Sequence, residues 1–294
     1  MKTAKTLIIA LLCVMSASTH GQTADSLMQA RSNEHTDKLL DSRLVSEVIH
    51  NGKVITNSQM IGIGCADILD TYLSPEKYDG IELRYVSHTT RDRIGRKWSR
   101  MLVHQGRFAT VENRSGDGHE LSGDYTFDYG FHRNWFLCGD KLHLIAGVAA
   151  SANIGFLYNT RNENNPAQAH LSLNIAPYGA VAYRFRLWNK PMKIRYEASV
   201  PVVGLMFSPN YGQSYYEIFN KGDYDHNVVP TTFVNAPSLR QMLTLDFTLR
   251  RTTLRIGYMG DFRQAKVNDL KYHTYSNMLL IGFTRHFQIS KIIP

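Results

Sequence analysis

Apolar and polar residues alternate along this chain with a period of two, over stretches longer than an ordinary soluble strand. Leu171–Leu187 shows it best. Leu171, Leu173, Ile175, Val181, Tyr183, Phe185 and Leu187 share one face; Ser172, Asn174, Tyr178, Arg184 and Arg186 share the other. Successive Cβ atoms of a strand point to opposite sides of a sheet, so this periodicity predicts a strand. Soluble strands average about five or six residues, whereas a tilted strand crossing membrane hydrocarbon needs about nine to eleven. The same alternation recurs around Ile81–Tyr85, Tyr125–Phe131, Ile194–Val202, Leu243–Leu249 and Leu254–Phe262. The expected fold is all-β: an antiparallel transmembrane β-barrel, apolar side chains toward lipid and charged ones toward the lumen.

Ten strands are read at 54–64, 80–89, 97–110, 121–134, 141–157, 168–187, 192–207, 238–250, 252–264 and 274–289, with eight or twelve left open. The third alternates least well. The connections run long (65–79), short (90–96), medium (111–120), short (135–140), medium (158–167), very short (188–191), long (208–237), minimal (250–252) and medium (265–273). Short turns belong on the periplasmic side and long loops outside, so both chain ends are expected in the periplasm. Trp135, Phe136, Phe185 and Trp188 flank the short turns, where an interfacial aromatic belt belongs. Phe287, near the end of the last strand, resembles the terminal aromatic by which the barrel-assembly machinery recognises its clients.

The inward face carries Glu82, Arg84, Asp124, Asp128, Arg184, Arg186, Arg195, Glu197, Asp246, Arg255, Asp261 and Arg263. A barrel of about ten strands is too narrow for a wide aqueous pore, which appears at about sixteen. The preferred reading is an ion-pair network filling the interior; the other is a narrow path for an ion or solute.

The segment before the strands refines the location. Lys2 and Lys5, the apolar run Leu7–Met15, and the small residues Thr19 and Gly21 form a secretory signal peptide, 1–21, cut before Gln22. Cys13 lies inside the apolar run without the small residues that precede a lipidated cysteine. Residues 22–53 form a polar periplasmic segment in which Leu39, Leu40, Leu44 and Val48 recur at helical spacing, as in a short helix or a lumen plug. The barrel takes 54–294. The expected address is the outer membrane of a Gram-negative bacterium, with outer-membrane lipid as the surrounding partner.

Composition changes little. Charged residues are 20% and mean hydropathy is −0.28, yet 16 Tyr and 13 Phe supply a girdle. The formal charge of +8 is spread singly through the strands, so nucleic-acid binding is not expected. No catalytic set emerges. Ser87 and His88 are neighbours on opposite faces, and His104, His132 and His286 match no metal spacing. Asp223-Tyr-Asp225-His-Asn227 imitates the start of a calcium loop, but lacks its Gly and its closing Glu. No cofactor and no metal are expected. Tyr211, Tyr215, Tyr216 and Tyr224 in the longest loop either pack it over the barrel mouth or offer a platform for a carbohydrate or protein ligand. Cys65, at the outer end of the first strand, and Cys138, in a periplasmic turn, are expected to stay unpaired.

The functional expectation is a non-catalytic structural or binding protein of surface or adhesive type, with a closed or narrow charged lumen. A small-solute or ion channel is second, and an outer-membrane hydrolase third. Finally, the segment Leu69-Asp-Thr-Tyr-Leu-Ser-Pro75, followed by Tyr78 and Gly80, resembles the early motif of a family of uncharacterised secreted proteins from Bacteroidetes. The resemblance implies an outer-membrane β-structure and assigns no activity.

Overall fold

The computed structural model describes residues 53–93, 96–163, 165–249 and 252–289. The expected signal peptide, and all of the expected N-terminal segment but Lys53, lie outside the described residues. The elements are β1 (Lys53–Asp70), β2 (Ser74–Arg93), β3 (Trp98–Asn113), β4 (His119–Leu137), β5 (Leu142–Asn159), β6 (Ala167–Leu187), β7 (Lys190–Ser199), β8 (Val203–Phe207), a short helix α1 (Tyr215–Phe219), β9 (Val228–Thr232), β10 (Leu239–Leu249), β11 (Thr252–Val267) and β12 (Leu270–Ile289).

Ten of these strands close into an antiparallel barrel, each pairing with its sequence neighbours except where β7 meets β10 and β12 returns to β1. Each expected strand appears, in order. Followed from Ile61 through β2, the pairing register reaches β6 at Leu171; followed the other way it reaches β6 at Tyr183, 12 residues further on. That stagger over ten strands tilts them by about 40° from the barrel axis, the range of membrane barrels.

The faces follow the sequence pattern. Ile63, Ile81, Phe131, Leu173, Leu279 and Ile281 point outward and are exposed, while Glu82, Asp128, His132 and Ser276 are buried inside. The outward apolar band is widest on β4–β6. On β1–β3 its near-end half turns polar, where Asn57 Nδ2 donates to Thr89 Oγ1 at 2.8 Å.

The connection lengths are corrected. At the near end, where β1 begins, turns are short as expected. At the far end, the stretches read as loops at 65–79 and 265–273 are mostly strand and that at 111–120 is half strand, and the turns shrink to 71–73, 114–118 and 268–269. Only 200–238 is long. The reason is strand length: β2, at 20 residues, rises about 50 Å at the observed tilt, twice the roughly 25 Å apolar band. Beyond that band the outward face meets water while Ala66, Ile68, Tyr78, Ala109 and Val111 pack inward, so the apolar and polar faces exchange and the membrane pattern breaks. Asn268 and Asp269, both with positive φ (50° and 57°), form the kind of two-residue hairpin turn whose backbone twist suits antiparallel strands.

The strand expected at 192–207 splits. β7 stops at Ser199, just before Pro201, which has no N–H for a ladder. The chain then crosses over to pair β8 with Ser172–Ile175 of β6, and β9 pairs with β8. This hairpin extends the wall above β7 and β10, which are only 10 and 11 residues long.

Cys65 is also relocated. It sits five residues before the end of β1, exposed on the outward face between Ile63 and Asp67, paired across to Ile81 and Asn277. Both cysteines are free. A charged maleimide on intact cells is expected to leave Cys65 unlabelled, and a lipid-soluble one to label it. Labelling by the charged reagent would place this level of β1 in water and shift the membrane band.

Candidate functional site: the barrel lumen

From the far end inward, the lumen holds a lid over a small apolar cluster around Ile68 and Val111, a charged belt, an apolar layer and a cavity. The lid is the 200–238 segment. Ser214 caps α1 in a capping box with Glu217, whose carboxyl is held below its usual range by the hydrogen bonds it accepts from the Ser214 backbone and hydroxyl. Ile218 is fully buried beneath it. Tyr72 donates to the Gln213 carbonyl at 3.0 Å, and Tyr215 donates to Gln168 Oε1 at 2.8 Å. Burial raises both phenols to about 12, with the Asp70 carboxylate adding to the effect on Tyr72. Asn268, in the β11–β12 turn, pins the lid through the Ser208 and His226 carbonyls at 3.1 and 3.0 Å.

The four loop tyrosines therefore divide. Tyr215 packs edge-on against Tyr72, with ring centroids 5.9 Å apart, and helps close the mouth. Tyr211, Tyr216 and Tyr224 are exposed on the lid. In the calcium-loop imitation, the Asn227 amide nitrogen donates to Ser208 O and Gln213 Oε1, its Oδ1 is buried without a partner, and His226 pairs with Asp225 at 2.5 Å.

Below the lid lies the charged belt. Glu82 accepts from Arg84 Nε (2.9 Å), Arg107 Nη1 (3.4 Å) and Ser276 Oγ (2.5 Å). Arg84 reaches Asp261 at 2.6 Å, and Arg263 bridges Asp261 (2.8 Å) and Asp124 (3.2 Å). Arg107 also pairs with Asp124, and Arg240 pairs with Asp128 at 2.5 Å. Four carboxylates thus face four guanidiniums, and the belt cancels its own charge. Pairing of this density is what buried charges require.

Next is an apolar layer that the sequence reading missed. Met60, Met101, Met242, Met259 and Met278 meet inside the barrel with Val86, Val103 and Leu280. Methionine is flexible and fills irregular space well, so it can close a lumen whose wall is polar above and below.

Toward the near end the lumen opens into a cavity of about 780 Å³ that reaches the turn residues Gly139–Lys141 and Asn189. Asp246 takes Arg255 in a two-pronged pair (2.5 and 2.8 Å) and Lys193 at 2.9 Å. Glu197 holds Arg195 at 2.8 Å and the Tyr178 hydroxyl at 2.9 Å. His143 bonds Asn134 at 2.9 Å, and His286 bonds Thr56 at 3.0 Å. Arg184 and Arg186 line the same space. A second cavity, of about 100 Å³, lies in the far half beside β8 and is lined by His170, Thr231 and Arg263.

All twelve expected lumen charges face inward. Glu82, Arg84, Asp124, Asp128, Asp261 and Arg263 build the belt; Arg184, Arg186, Arg195, Glu197, Asp246 and Arg255 lie at or beside the near cavity. Arg107, Arg240 and Lys193 are additional members. Arg107 sits on β3, where alternation is weakest, yet its parity with Val103 and Gln105 was a usable signal. Arg240 precedes the regular run of β10, and Lys193 keeps the phase of Arg195. Ser87 and His88 do lie on opposite faces: the serine hydroxyl accepts from outward Asn57, while His88 is buried inside.

A closed ten-stranded antiparallel barrel with an apolar outer girdle and a charged interior has the outer-membrane β-barrel fold. The chain belongs to the family described as "Protein of unknown function (DUF3316)", matched over residues 7–292. Membership in a family without assigned activity agrees with the resemblance carried by Leu69–Pro75. No curated protein matches the chain. Among solved structures it is similar to the translocator domain of the autotransporter NalP from Neisseria meningitidis: 9% identity, 86% of this chain and 96% of that one, TM-score 0.36. It is also similar to the outer membrane protease OmpT from Escherichia coli: 7% identity, 82% and 100% covered, TM-score 0.40. A third is the β domain of the Bordetella autotransporter BrkA: 12% identity, 80% and 100% covered, TM-score 0.36. These likenesses concern the fold alone.

Proposed function

We infer that this protein is a non-conducting barrel of the Gram-negative outer membrane that serves as a structural or binding protein, without catalysis. One observation carries this reading: two layers, the self-cancelling belt around Glu82 and Asp261 and the methionine layer beneath it, cross the lumen. An ion would have to break paired charges and then pass an apolar constriction. The lid projects on the side opposite the β1 start, so with both strand ends in the periplasm it faces outward and presents Tyr211, Tyr216 and Tyr224 to a carbohydrate or protein partner. The separation of Ser87 from His88 supports the non-catalytic reading.

The test is a planar lipid bilayer. Purified full-length mature protein is expected to add no current steps above background in 1 M KCl. Sustained single-channel openings would overturn the sealed reading and favour a small-solute or ion channel.

A further inference from the structure

The near cavity differs electrically from the belt. Lys141, Arg184, Arg186, Lys193, Arg195 and Arg255 line it, against Asp92, Asp140 and Asp246. With Arg184 set aside and Glu197 counted as the partner of Arg195, five cations face four carboxylates among the described residues, and the balance stays positive. Lys193, Arg195 and Arg255 are spent on Asp246 and Glu197. Arg186 and Lys141, nearest the opening, have no carboxylate within ion-pair distance among the described residues.

At the inner part of the same cavity, two buried imidazoles are unsatisfied. His88 Nε2 and His132 Nδ1 have no hydrogen-bond partner, though both side chains are more than nine-tenths buried. The nearest carboxylate oxygen to His88 Nε2, on Glu197, is 3.8 Å away, beyond hydrogen-bond reach. Those two nitrogens are themselves buried and His88 Nε2 faces Glu197, but both rings line the cavity and give its inner end polar edges. Low-dielectric walls focus the field of the excess cations into the space between them. Its volume, about 780 Å³, falls in the range of small-molecule pockets, roughly 300–1,000 Å³.

We propose that this cavity is a binding site for a compact anion bearing two or three negative charges on phosphate or carboxylate groups. The ligand enters between the short turns, past Arg186 and Lys141, and sets its oxygens against His88 and His132. The methionine layer closes the site at its inner end. The proposal rests on the sealed-lumen reading only for that closure. Bilayer current would overturn the sealing while leaving binding measurable, so the two fail separately.

The experiment is calorimetric titration of the mature full chain in zwitterionic detergent, with inorganic pyrophosphate and, separately, with citrate, at ionic strength fixed with NaCl. Saturable one-to-one binding of at least one probe is expected. Pyrophosphate alone identifies phosphate chemistry, citrate alone carboxylate chemistry, and both together recognition by charge. The Lys141→Gln/Arg186→Gln variant, which breaks no ion pair, is expected to bind at least tenfold more weakly while keeping its heat-dependent gel mobility. In the unmodified protein, the probe that binds is expected to slow acylation of Lys141, read by mass spectrometry. No saturable binding of either probe, undiminished affinity in the double variant, or no protection of Lys141 would each overturn the site.

Discussion

Glu82→Ala is expected to destabilise the folded barrel by about 3–5 kcal/mol, because it removes one counter-charge from a buried, balanced set of guanidiniums. Glu82 is fully buried and is the shared acceptor of Arg84, Arg107 and Ser276. Arg107 keeps Asp124 and Arg84 keeps Asp261, so the belt loses its charge balance without losing every pair. The measurement is urea unfolding in lipid vesicles, followed by the heat-dependent shift on SDS gels. A companion variant separates charge from packing. Glu82→Met with Arg84→Met removes both members of one pair and fills their volume, and should recover at least half of the loss, since apolar replacement of a buried pair is often neutral. Equal damage from the single and double variants would mean that the belt works through shape and not through charge balance.

Ile281→Arg comes next in size, at a cost of about 2–4 kcal/mol, the penalty for a cation near the midplane of a membrane barrel. Ile281 is 61% exposed on the outward face of β12, with Ile61 and Ile256 beside it on the neighbouring strands. The same substitution at Val234, 89% exposed in the lid, should be nearly neutral. Folding yield into vesicles and the urea midpoint read both. Similar losses at the two positions would put the lipid band elsewhere, because a one-residue slip in phase exchanges lumen and lipid faces.

How much of the site was legible in the chain follows from where each residue sits in the bilayer. Between the membrane surfaces, hydrocarbon on one side and a filled lumen on the other force each position to declare its face. Glu82, Arg84, Asp124, Asp128 and Asp261 could therefore be assigned inward from parity alone. Above the apolar band that contrast inverts, with Ala66, Ile68 and Tyr78 packed inward. Asp67, Lys77 and Asp79 are charged although they lie in strands, so the ends of β1 and β2 looked like a loop. The inward methionines were hidden for the opposite reason: an apolar residue on a face expected to be polar reads as noise until five of them meet.

The sequence by itself determined the class of fold, the order of the barrel strands, and which face of each membrane-spanning stretch carries charge; ten was its preferred strand number, and closure decided it. All three rest on local alternation and short-range turn chemistry, which every stretch of chain displays on its own. Only the tertiary structure decided what the interior does. Closing ten strands with a 12-residue stagger brings Arg84 of β2 to Asp261 of β11, and Arg240 of β10 to Asp128 of β4. It also gathers methionines from five strands into one layer and leaves Arg186 of β6 and Lys141 of the β4–β5 turn at the mouth of a single cavity. Arg84 and Asp261 alone lie 177 positions apart in the chain. Which charges cancel and which remain available is a property of barrel closure, which no local pattern encodes.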